Sequence, residues 1–197
     1  MSNYGIKVTK MLIMLIWIVF IVSTFAIFTP TAVYAMDVSV LSYGAVGNGT
    51  TNDRVAIQNA IDVVSNAGGG TVNLPGGKTY LSGELTLKDN VVLNINSGAI
   101  LKKSNNAAHY AHTAEYGRWI GGIAWNQYLY KNYPLIYAGS GTHNITVTGS
   151  GTVDLNWSGD DSTNIQLCGI GFYRVRNYTI SDVTLSNASG YYIALHT

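Results

Sequence analysis

The sequence predicts an all-β fold in which short parallel strands stack in successive coils, a parallel β-helix solenoid with one α-helix capping its N-terminal end. Three observations support this prediction. Short β-branched segments separated by Gly, Asn or Asp dominate the chain. One amphipathic segment, residues 53–66, places apolar residues at helical spacing. A motif of Asn, two further residues and an aliphatic residue recurs at Asn90, Asn144 and Asn177, as expected of a repeat architecture.

The first 35 residues have the pattern of an export segment rather than of a folded domain. Two lysines precede an uncharged apolar run over residues 11–28, and the small residues Val33 and Ala35 stand before a cleavage site. The run is also close to the length of a membrane span, so a retained anchor is the alternative. In both cases we expect residues 36–197 to be the N-terminal part of a β-helix domain that is secreted or lies outside the cytoplasm.

The composition excludes some partners. Only 11% of the residues are charged and the net charge is +1, so no basic surface for nucleic acid is expected. Cys168 is the only cysteine, so no internal disulfide can form. We expect a buried thiol rather than a reactive one, because no cationic cluster lies near it in the sequence. We also expect no cofactor, a monomer, and contact with a membrane only if the N-terminal segment is retained.

The elements follow one another in a regular order. A first strand is predicted within residues 37–46. The helix over residues 53–66 follows, with Thr51 or Asn52 capping its first turn and the glycines of "AGGG" ending it. Its apolar stripe consists of Ile57, Ala60, Ile61 and Val64. Further strands are predicted at residues 70–75, 85–87, 91–95, 99–104, 134–139, 144–149, 151–155 and 176–189.

Parallel coils would bring equivalent residues together. The recurring asparagines should then bond to one another, and Val91, Ile145 and Ile180 should line one interior file. A solenoid also needs a cover over its open end, which the helix provides at the N-terminal end. The last residues, "YYIALHT", stop in the middle of a coil, so we expect the solenoid to be truncated at its C-terminal end.

Residues 105–133 interrupt the strand pattern and are rich in aromatic residues. We expect an insertion that packs over one side of the solenoid. The alternative is a sugar-binding lip, because aromatic faces stack on pyranose rings. His109, His112 and Glu115 have helical spacing within this segment, but no further ligand is evident and no metal site is predicted.

The adjacent carboxylates Asp160 and Asp161, in "WSGDDSTN", invite a catalytic interpretation. Their neighbours are Gly, Ser, Thr and Asn, which is an ordinary turn composition. We therefore expect acids of a loop rather than of a catalytic pair. Asp154, at the end of a predicted strand, is expected to be a turn acid in the same way.

Three segments resemble a known family. Residues 40–101 resemble the N-terminal module of pectin-degrading β-helix proteins, through YGA-x-G-[ND]-G-x-x-[ND]-D, AIQ-x-AI and GGGTV-x-x-P-x-G-x-Y-x-x-G. "NITVTGSGTVD" (residues 144–154) and "FYRVRNYTISDVTLSNASGYYIALHT" (residues 172–197) resemble successive coils of polygalacturonases. The chain is thus identified as similar to glycoside hydrolase family 28. The resemblance implies a right-handed parallel β-helix and a pectic or other plant cell-wall polysaccharide as partner.

The resemblance also implies inverting hydrolysis of α-1,4-galacturonan or a related chain, with one carboxylic acid protonating the leaving oxygen and a second carboxylate activating water. The family carries these acids in NTD and DD motifs, followed by GHG and RIK motifs. The sequence has no NTD, GHG or RIK, and its one adjacent aspartate pair comes too early. No catalytic residue is therefore assigned, and the acids are expected beyond residue 197.

Asn187, Tyr192 and His196 match the Asn, Trp and His positions of one family motif. His196 is the one candidate substrate-binding residue, with a packed or turn histidine as the alternative. Two other functions stay open. A non-catalytic polysaccharide-binding β-helix would explain the missing acids, and a pectate lyase would use a basic residue and calcium.

Overall fold

The computed structural model of the protein describes residues 35–110, 133–157, 159, 167–188 and 192–196. These residues form one α-helix, α1 (Arg54–Asn66), two 3₁₀ helices (Val40–Tyr43 and Ala107–His109) and a series of short strands. The strands are β1 (Met36–Ser39), β2 (Asn48–Asn52), β3 (Gly70–Leu74), β4 (Thr79–Ser82), β5 (Leu85–Thr86), β6 (Val91–Ile95), β7 (Ile100–Lys103), β8 (Tyr133–Ala138), β9 (His143–Thr148), β10 (Thr152–Asp154), β11 (Leu167–Tyr173), β12 (Arg176–Ile180), β13 (Thr184–Ser186) and β14 (Ile193–His196).

The strands form three parallel sheets. The first sheet has the order β1-β3-β6-β9-β12, the second β2-β4-β7-β10-β13 and the third β5-β8-β11-β14. The chain therefore visits the three sheets in turn, once per coil. Coil 1 contains β1, β2 and α1, and coils 2 to 5 contain β3–β5, β6–β8, β9–β11 and β12–β14. This is the parallel β-helix that the sequence predicts.

Alternate side chains of each strand point into the solenoid and lie above their equivalents in the next coil. This arrangement buries apolar surface continuously along the axis, which is the main stabilising contribution of the fold. The register gives one such file in each sheet. They are Val38, Val72, Leu93, Val147 and Ile180 in the first sheet, Tyr80, Leu101, Val153 and Leu185 in the second, and Leu85, Ile136, Ile170 and Ile193 in the third.

One predicted file is wrong in its last member. Ile180 pairs with Val147, whereas Tyr178 is the residue that pairs with Ile145. Side chains two residues apart on a strand point to the same face. Ile145 and Val147 therefore both point inward, as do their partners in β12. Ile180 therefore belongs to the neighbouring file.

The recurring asparagines form the predicted ladder. Asn90, Asn144 and Asn177 have φ angles of 62°, 55° and 53°, so each stands at a sharp bend before a strand of the first sheet. The Nδ2 of Asn144 donates to Oδ1 of Asn90 over 3.0 Å, and the Nδ2 of Asn177 donates to Oδ1 of Asn144 over 3.2 Å. Asn tolerates this left-handed conformation better than most residues, and its amide both donates and accepts. The ladder therefore fixes the same corner in coils 3, 4 and 5.

Helix α1 takes the place of a third-sheet strand in coil 1. Its predicted stripe is fully buried, and each of these side chains contributes on the order of 1–3 kcal/mol by leaving water. The stripe consists of Ile57, Ala60, Ile61 and Val64.

Polar side chains of α1 cover the edge strand β5. Nε2 of Gln58 donates to the carbonyl of Thr86 over 2.9 Å, and Oε1 of Gln58 accepts from the Thr86 N–H over 2.8 Å. Nε of Arg54 donates to the carbonyl of Glu84. An exposed edge is a site of unwanted strand pairing, so this helix is the N-terminal cap that the sequence predicts.

The start of the helix differs in detail from the prediction. Asn52 does accept a hydrogen bond from the Arg54 N–H, as a capping residue would. Asp53, however, is buried and its carboxylate turns back to accept from the N–H groups of Val46 (2.7 Å) and Gly47 (3.0 Å). Asp53 therefore fixes the loop before β2 rather than the first turn of the helix.

Several boundaries also differ. The strand predicted within residues 37–46 ends at Ser39, whose Oγ accepts from the Leu41 N–H and begins a 3₁₀ helix. The segment 176–189 is two strands in different sheets, separated by a bend at Asp182 with φ 63°. The strands β2, β4, β11 and β14 were not predicted. In the part of the chain that the structure describes, no helix is long and apolar enough to cross a bilayer. Residues 1–34 lie outside that part.

Candidate functional site

A cluster of amide and carboxylate side chains lies where second-sheet strands end and the chain turns toward the third sheet. We call it the amide corner; it comprises Asn105, Asp154, Asn156, Trp157 and Asn187. Asp154 is the last residue of β10, and the others follow β7, β10 and β13. Parallel strands end on the same side of a sheet, so the fold brings together residues that are far apart in the sequence.

Asp154 is the centre of the amide corner. Its Oδ1 accepts from the Asn156 N–H over 2.9 Å and from Nδ2 of Asn187 over 2.7 Å. The first of these bonds makes Asp154 a turn acid, as predicted, and the second ties coil 4 to coil 5. Both bonds use Oδ1, and Oδ2 accepts no hydrogen bond from the described residues. The carboxylate is therefore held in one orientation with one oxygen open.

Backbone contacts on both sides hold the loop after Asp154. Nδ2 of Asn156 donates to the carbonyl of Lys103 over 3.0 Å, and Nδ2 of Asn105 is 3.4 Å from the carbonyl oxygen of Asn156. The Trp157 N–H donates to the carbonyl of Asn187 over 3.1 Å. Trp157 as a whole is 42% exposed.

A second polar group lies inside the solenoid beneath this corner. Glu84 and Lys103 are fully buried, and Nζ of Lys103 lies 5.1 Å from the centre of the Tyr110 ring. Burial lowers the pKa of Lys103 to about 7, although the charges of Cys168 and Glu84 oppose this shift. Burial also raises the pKa of Tyr110 well above its ordinary value. The hydroxyl of Tyr110 donates to the carbonyl of Ser104 over 2.6 Å.

Cys168 completes the interior group from coil 4. It is buried, as predicted, and its Sγ donates to the carbonyl of Ile170. Burial raises the pKa of the thiol to about 11, despite the nearby ammonium of Lys103. A thiol with a raised pKa and no access to solvent is a poor nucleophile.

Sequence reasoning missed this interior group, although one signal pointed to it. Lys102 and Lys103 are adjacent within β7, and adjacent residues of a strand point to opposite faces. One of two neighbouring lysines in a strand of a closed solenoid must therefore point inward and requires polar partners.

Other predicted candidates fall partly outside the described residues. The backbone of His196 pairs with Tyr173 in the third sheet, but nothing is described of the His196 side chain. Asp160, Asp161, His112 and Glu115 also lie outside the described residues.

His109 is described, and both nitrogens of its ring have neighbours. Nδ1 lies 2.8 Å from Oγ of Ser104, and Nε2 lies 3.3 Å from Nδ2 of Asn106. Across the described ranges, no three His, Cys, Asp or Glu side chains are grouped as a metal ion would need.

Comparison with known proteins places this solenoid in a family. Residues 38–196 match the family described as Rhamnogalacturonase A/epimerase, pectate lyase-like. The chain belongs to this family. The right-handed parallel β-helix and the relationship to polygalacturonases that the sequence predicts are thereby confirmed.

Relatives of the chain in this family differ in their reactions. A mannuronan C5-epimerase of Azotobacter vinelandii is 52% identical over 65 residues, which are 29% of this chain and 7% of that protein. The exo-poly-alpha-D-galacturonosidase of Dickeya chrysanthemi is 39% identical over 82 residues, which are 42% of this chain and 13% of that protein. The solved family 28 exopolygalacturonase of Yersinia enterocolitica has a TM-score of 0.62 at 24% identity, over 79% of this chain and 35% of that one.

These relatives share activity on polysaccharides but not a single reaction. The chain spans only a small part of the two curated relatives and about a third of the solved one. Family members act on polysaccharides, as hydrolases, epimerases or lyases.

Proposed function

We propose that the protein hydrolyses α-1,4-galacturonan or a related pectic chain with inversion, and that it acts outside the cell. The observation that carries this proposal is the match of residues 38–196 to a polysaccharide-active family, together with 39% identity to an exo-poly-alpha-D-galacturonosidase. Inverting hydrolysis requires two carboxyl groups far enough apart to admit a water molecule. We assign neither of them to a described residue.

The surface of the described coils suits a polysaccharide partner. The amide corner offers one oriented carboxylate and several amide groups beside a rigid parallel scaffold. Asp154 is on a strand, and side chains on rigid strands hold their geometry better than side chains on long loops, which favours binding of a regular polymer.

The experiment is incubation of the purified full-length protein with polygalacturonate, followed by measurement of reducing ends. Hydrolysis with inversion predicts new reducing ends whose first-formed anomer is β by proton NMR. An α anomer as the first product would contradict inversion. Retention of the polymer on the protein with no new reducing ends would contradict hydrolysis and support a binding protein.

A second candidate is removal of the C5 proton of a uronate, by an epimerase or a lyase. The 52% identity to a mannuronan C5-epimerase favours it. This reaction leaves a distinct signature on alginate or polygalacturonate. An epimerase changes the sugar composition without cutting the chain, and a lyase creates an unsaturated end that absorbs in the ultraviolet.

A further inference from the structure

The polar side chains on the outer face of the first sheet bond to one another from coil to coil. Nδ2 of Asn94 donates to Oδ1 of Asn73 over 2.8 Å, and the hydroxyl oxygens of Thr148 and Ser181 lie 3.1 Å apart. These bonds use donors and acceptors of that face within the protein itself, which leaves fewer of them for a ligand.

The outer face of the second sheet is different. Burial alternates along β4, β7 and β10, so their half-buried residues point outward. The hydroxyl groups of this face are hydrogen-bonded to no other residue in the described ranges. The register places its polar residues in two files, one containing Thr79, Thr152 and Thr184 and the other containing Lys102, Asp154 and Ser186.

Lys102 is the cation of this outer face. Its register partners are Leu81 of coil 2 and Asp154 of coil 4, so described coils flank it on both sides. Lys102 is half-buried, as expected when the aliphatic stem packs along the sheet and the ammonium reaches water. Of the lysines in the part of the chain that the structure describes, only Lys102 makes no hydrogen bond, ion pair or ring contact.

Asp154 would be expected to pair with Lys102, because opposite charges on neighbouring strands of one face attract. Two other bonds hold its carboxylate. Oδ1 accepts from Nδ2 of Asn187 in coil 5 over 2.7 Å and from the Asn156 N–H over 2.9 Å. Coil 5 lies on the side of Asp154 opposite to the coil of Lys102, and Lys102 and Asp154 form no ion pair. The face therefore presents an ammonium whose register partner is engaged elsewhere, beside hydroxyl groups that are open.

We propose that Lys102 determines the charge of the polysaccharide that the protein accepts, because its ammonium binds the carboxylate of a uronate residue that lies across the second sheet. A charge-assisted hydrogen bond of this kind is stronger than one between neutral groups. The carboxylate displaces no ion-pair partner of Lys102 among the described residues, and the open hydroxyl groups bond to hydroxyls of the sugar. A neutral polysaccharide leaves the ammonium to water and gains less from this face.

This inference rests on the proposed function in one respect only, that the ligand is a polysaccharide. Lys102 is a specificity-determining residue in this scheme and has no part in bond cleavage.

The test compares two polymers that differ in charge, polygalacturonate and its fully methyl-esterified form. Binding to the full-length protein is measured in affinity gels and by calorimetry, and the unmodified protein should bind the charged polymer more tightly. Lys102→Gln should weaken binding of polygalacturonate roughly tenfold or more, the loss expected for a charge-assisted contact, and should change binding of the esterified polymer little. Lys102→Arg should retain most of the affinity, because it keeps the positive charge.

Lys88→Gln is the matched control, because it removes another surface lysine, one that already pairs with Asp62. It should bind both polymers like the unmodified protein. Added salt should weaken binding of polygalacturonate more in the unmodified protein than in Lys102→Gln, since salt screens the charge contact.

Three results would overturn the inference. The first is equal affinity of Lys102→Gln and the unmodified protein for polygalacturonate. The second is an equal loss for both polymers in Lys102→Gln. The third needs no variant, and is an unmodified protein that does not prefer the charged polymer.

The two proposals fail separately. If reducing ends form with a KM that Lys102→Gln does not change, hydrolysis stands and the role of Lys102 is wrong. If binding depends on Lys102 but no product forms, the role of Lys102 stands and hydrolysis is wrong. If the protein binds neither polygalacturonate nor alginate, a second uronate polymer, both are wrong.

Discussion

Gln58 and Thr86 are joined by a pair of hydrogen bonds that reproduces the contact between two neighbouring strands. The side-chain amide of Gln58 accepts from the N–H of Thr86 and donates to its carbonyl. A single helical side chain thus serves both backbone groups at the edge of the third sheet, where coil 1 has no strand.

Replacement of Gln58 tests this role. Gln58→Ala should lower the free energy of unfolding by about 1–3 kcal/mol, because two backbone groups lose their partners. Asn59→Ala is the control, since Asn59 is on the exposed face of the same helix. It should change stability by less than about 0.5 kcal/mol. Urea unfolding measures both, and equal effects would show that the edge contact contributes nothing.

The asparagine ladder stabilises the fold in two ways, through the left-handed backbone conformation at each bend and through the hydrogen bonds between side chains. Asn144→Gly keeps the left-handed φ of 55° and removes the bonds to Asn90 and Asn177. Asn144→Ala removes the bonds and adds about 1 kcal/mol of backbone strain. We expect thermal unfolding to rank the unmodified protein above Asn144→Gly, and Asn144→Gly above Asn144→Ala. An alanine variant at least as stable as the glycine variant would contradict the importance of the bend.

Gly70 should be intolerant of any side chain. Its φ is 149°, and a Cβ would overlap the backbone of Met36 in the neighbouring strand β1. Gly70→Ala should therefore lower the free energy of unfolding by about 3 kcal/mol or more, because β1 must move and the backbone is strained. Gly141→Ala is the control. Its φ is 94° but a Cβ there meets nothing within 4 Å, so strain alone should cost about 1 kcal/mol. Urea unfolding measures both variants. Similar losses of stability in Gly70→Ala and Gly141→Ala would show that the close approach to Met36 is unimportant.

Lys103 makes stability depend on pH. Its pKa is about 7 in the folded protein and 10.5 in the reference state, so between these values the unfolded chain binds more protons. Stability should therefore rise with pH in this window, by up to about 1.4 kcal/mol per pH unit. Cys168 acts oppositely, because its pKa is raised from 9.0 to about 11 and the unfolded chain loses this proton first. Stability should rise from pH 7 to 9 and then flatten.

The double variant Lys103→Met with Glu84→Gln tests the origin of this slope. It replaces the buried lysine and the buried glutamate near it together, so neither side chain is removed from beside the other. Its unfolding midpoint in urea should lack the rise between pH 7 and 9. Lys88→Met is the control at an exposed lysine, which pairs with Asp62. Lys88→Met should keep the increase of stability between pH 7 and 9. If the increase persists in the double variant, another titratable group causes it.

The sequence predicted those parts of the fold that local patterns determine. The stripe from Ile57 to Val64 repeats with the period of a helix, and the asparagines mark one corner in coils 3, 4 and 5. The strand predicted over residues 176–189 was wrong because both halves have the same β-branched composition. The bend at Asp182 that sends them to different sheets depends on stacking against coil 4, which local propensity does not contain.

The candidate site was less predictable than the fold. Asp154, Asn156 and Asn187 each look like turn residues in the sequence, and only the register of β10 with β13 brings them together. The choice between Lys102 and Lys103 as the inward residue likewise depends on register.

Coil length and strand register are independent in this solenoid. Ladder partners are 54 residues apart between Asn90 and Asn144 and 33 between Asn144 and Asn177, and the hydrogen-bonded pair Asn73 and Asn94, in β3 and β6, is 21 residues apart. The strands of the first sheet nevertheless pair in one continuous register, so a longer interval between strands does not disturb their pairing. Evolution can therefore lengthen a corner and change what the surface recognises without rebuilding the core. Protein engineers could use the same freedom to graft recognition loops onto the corner around Gly141.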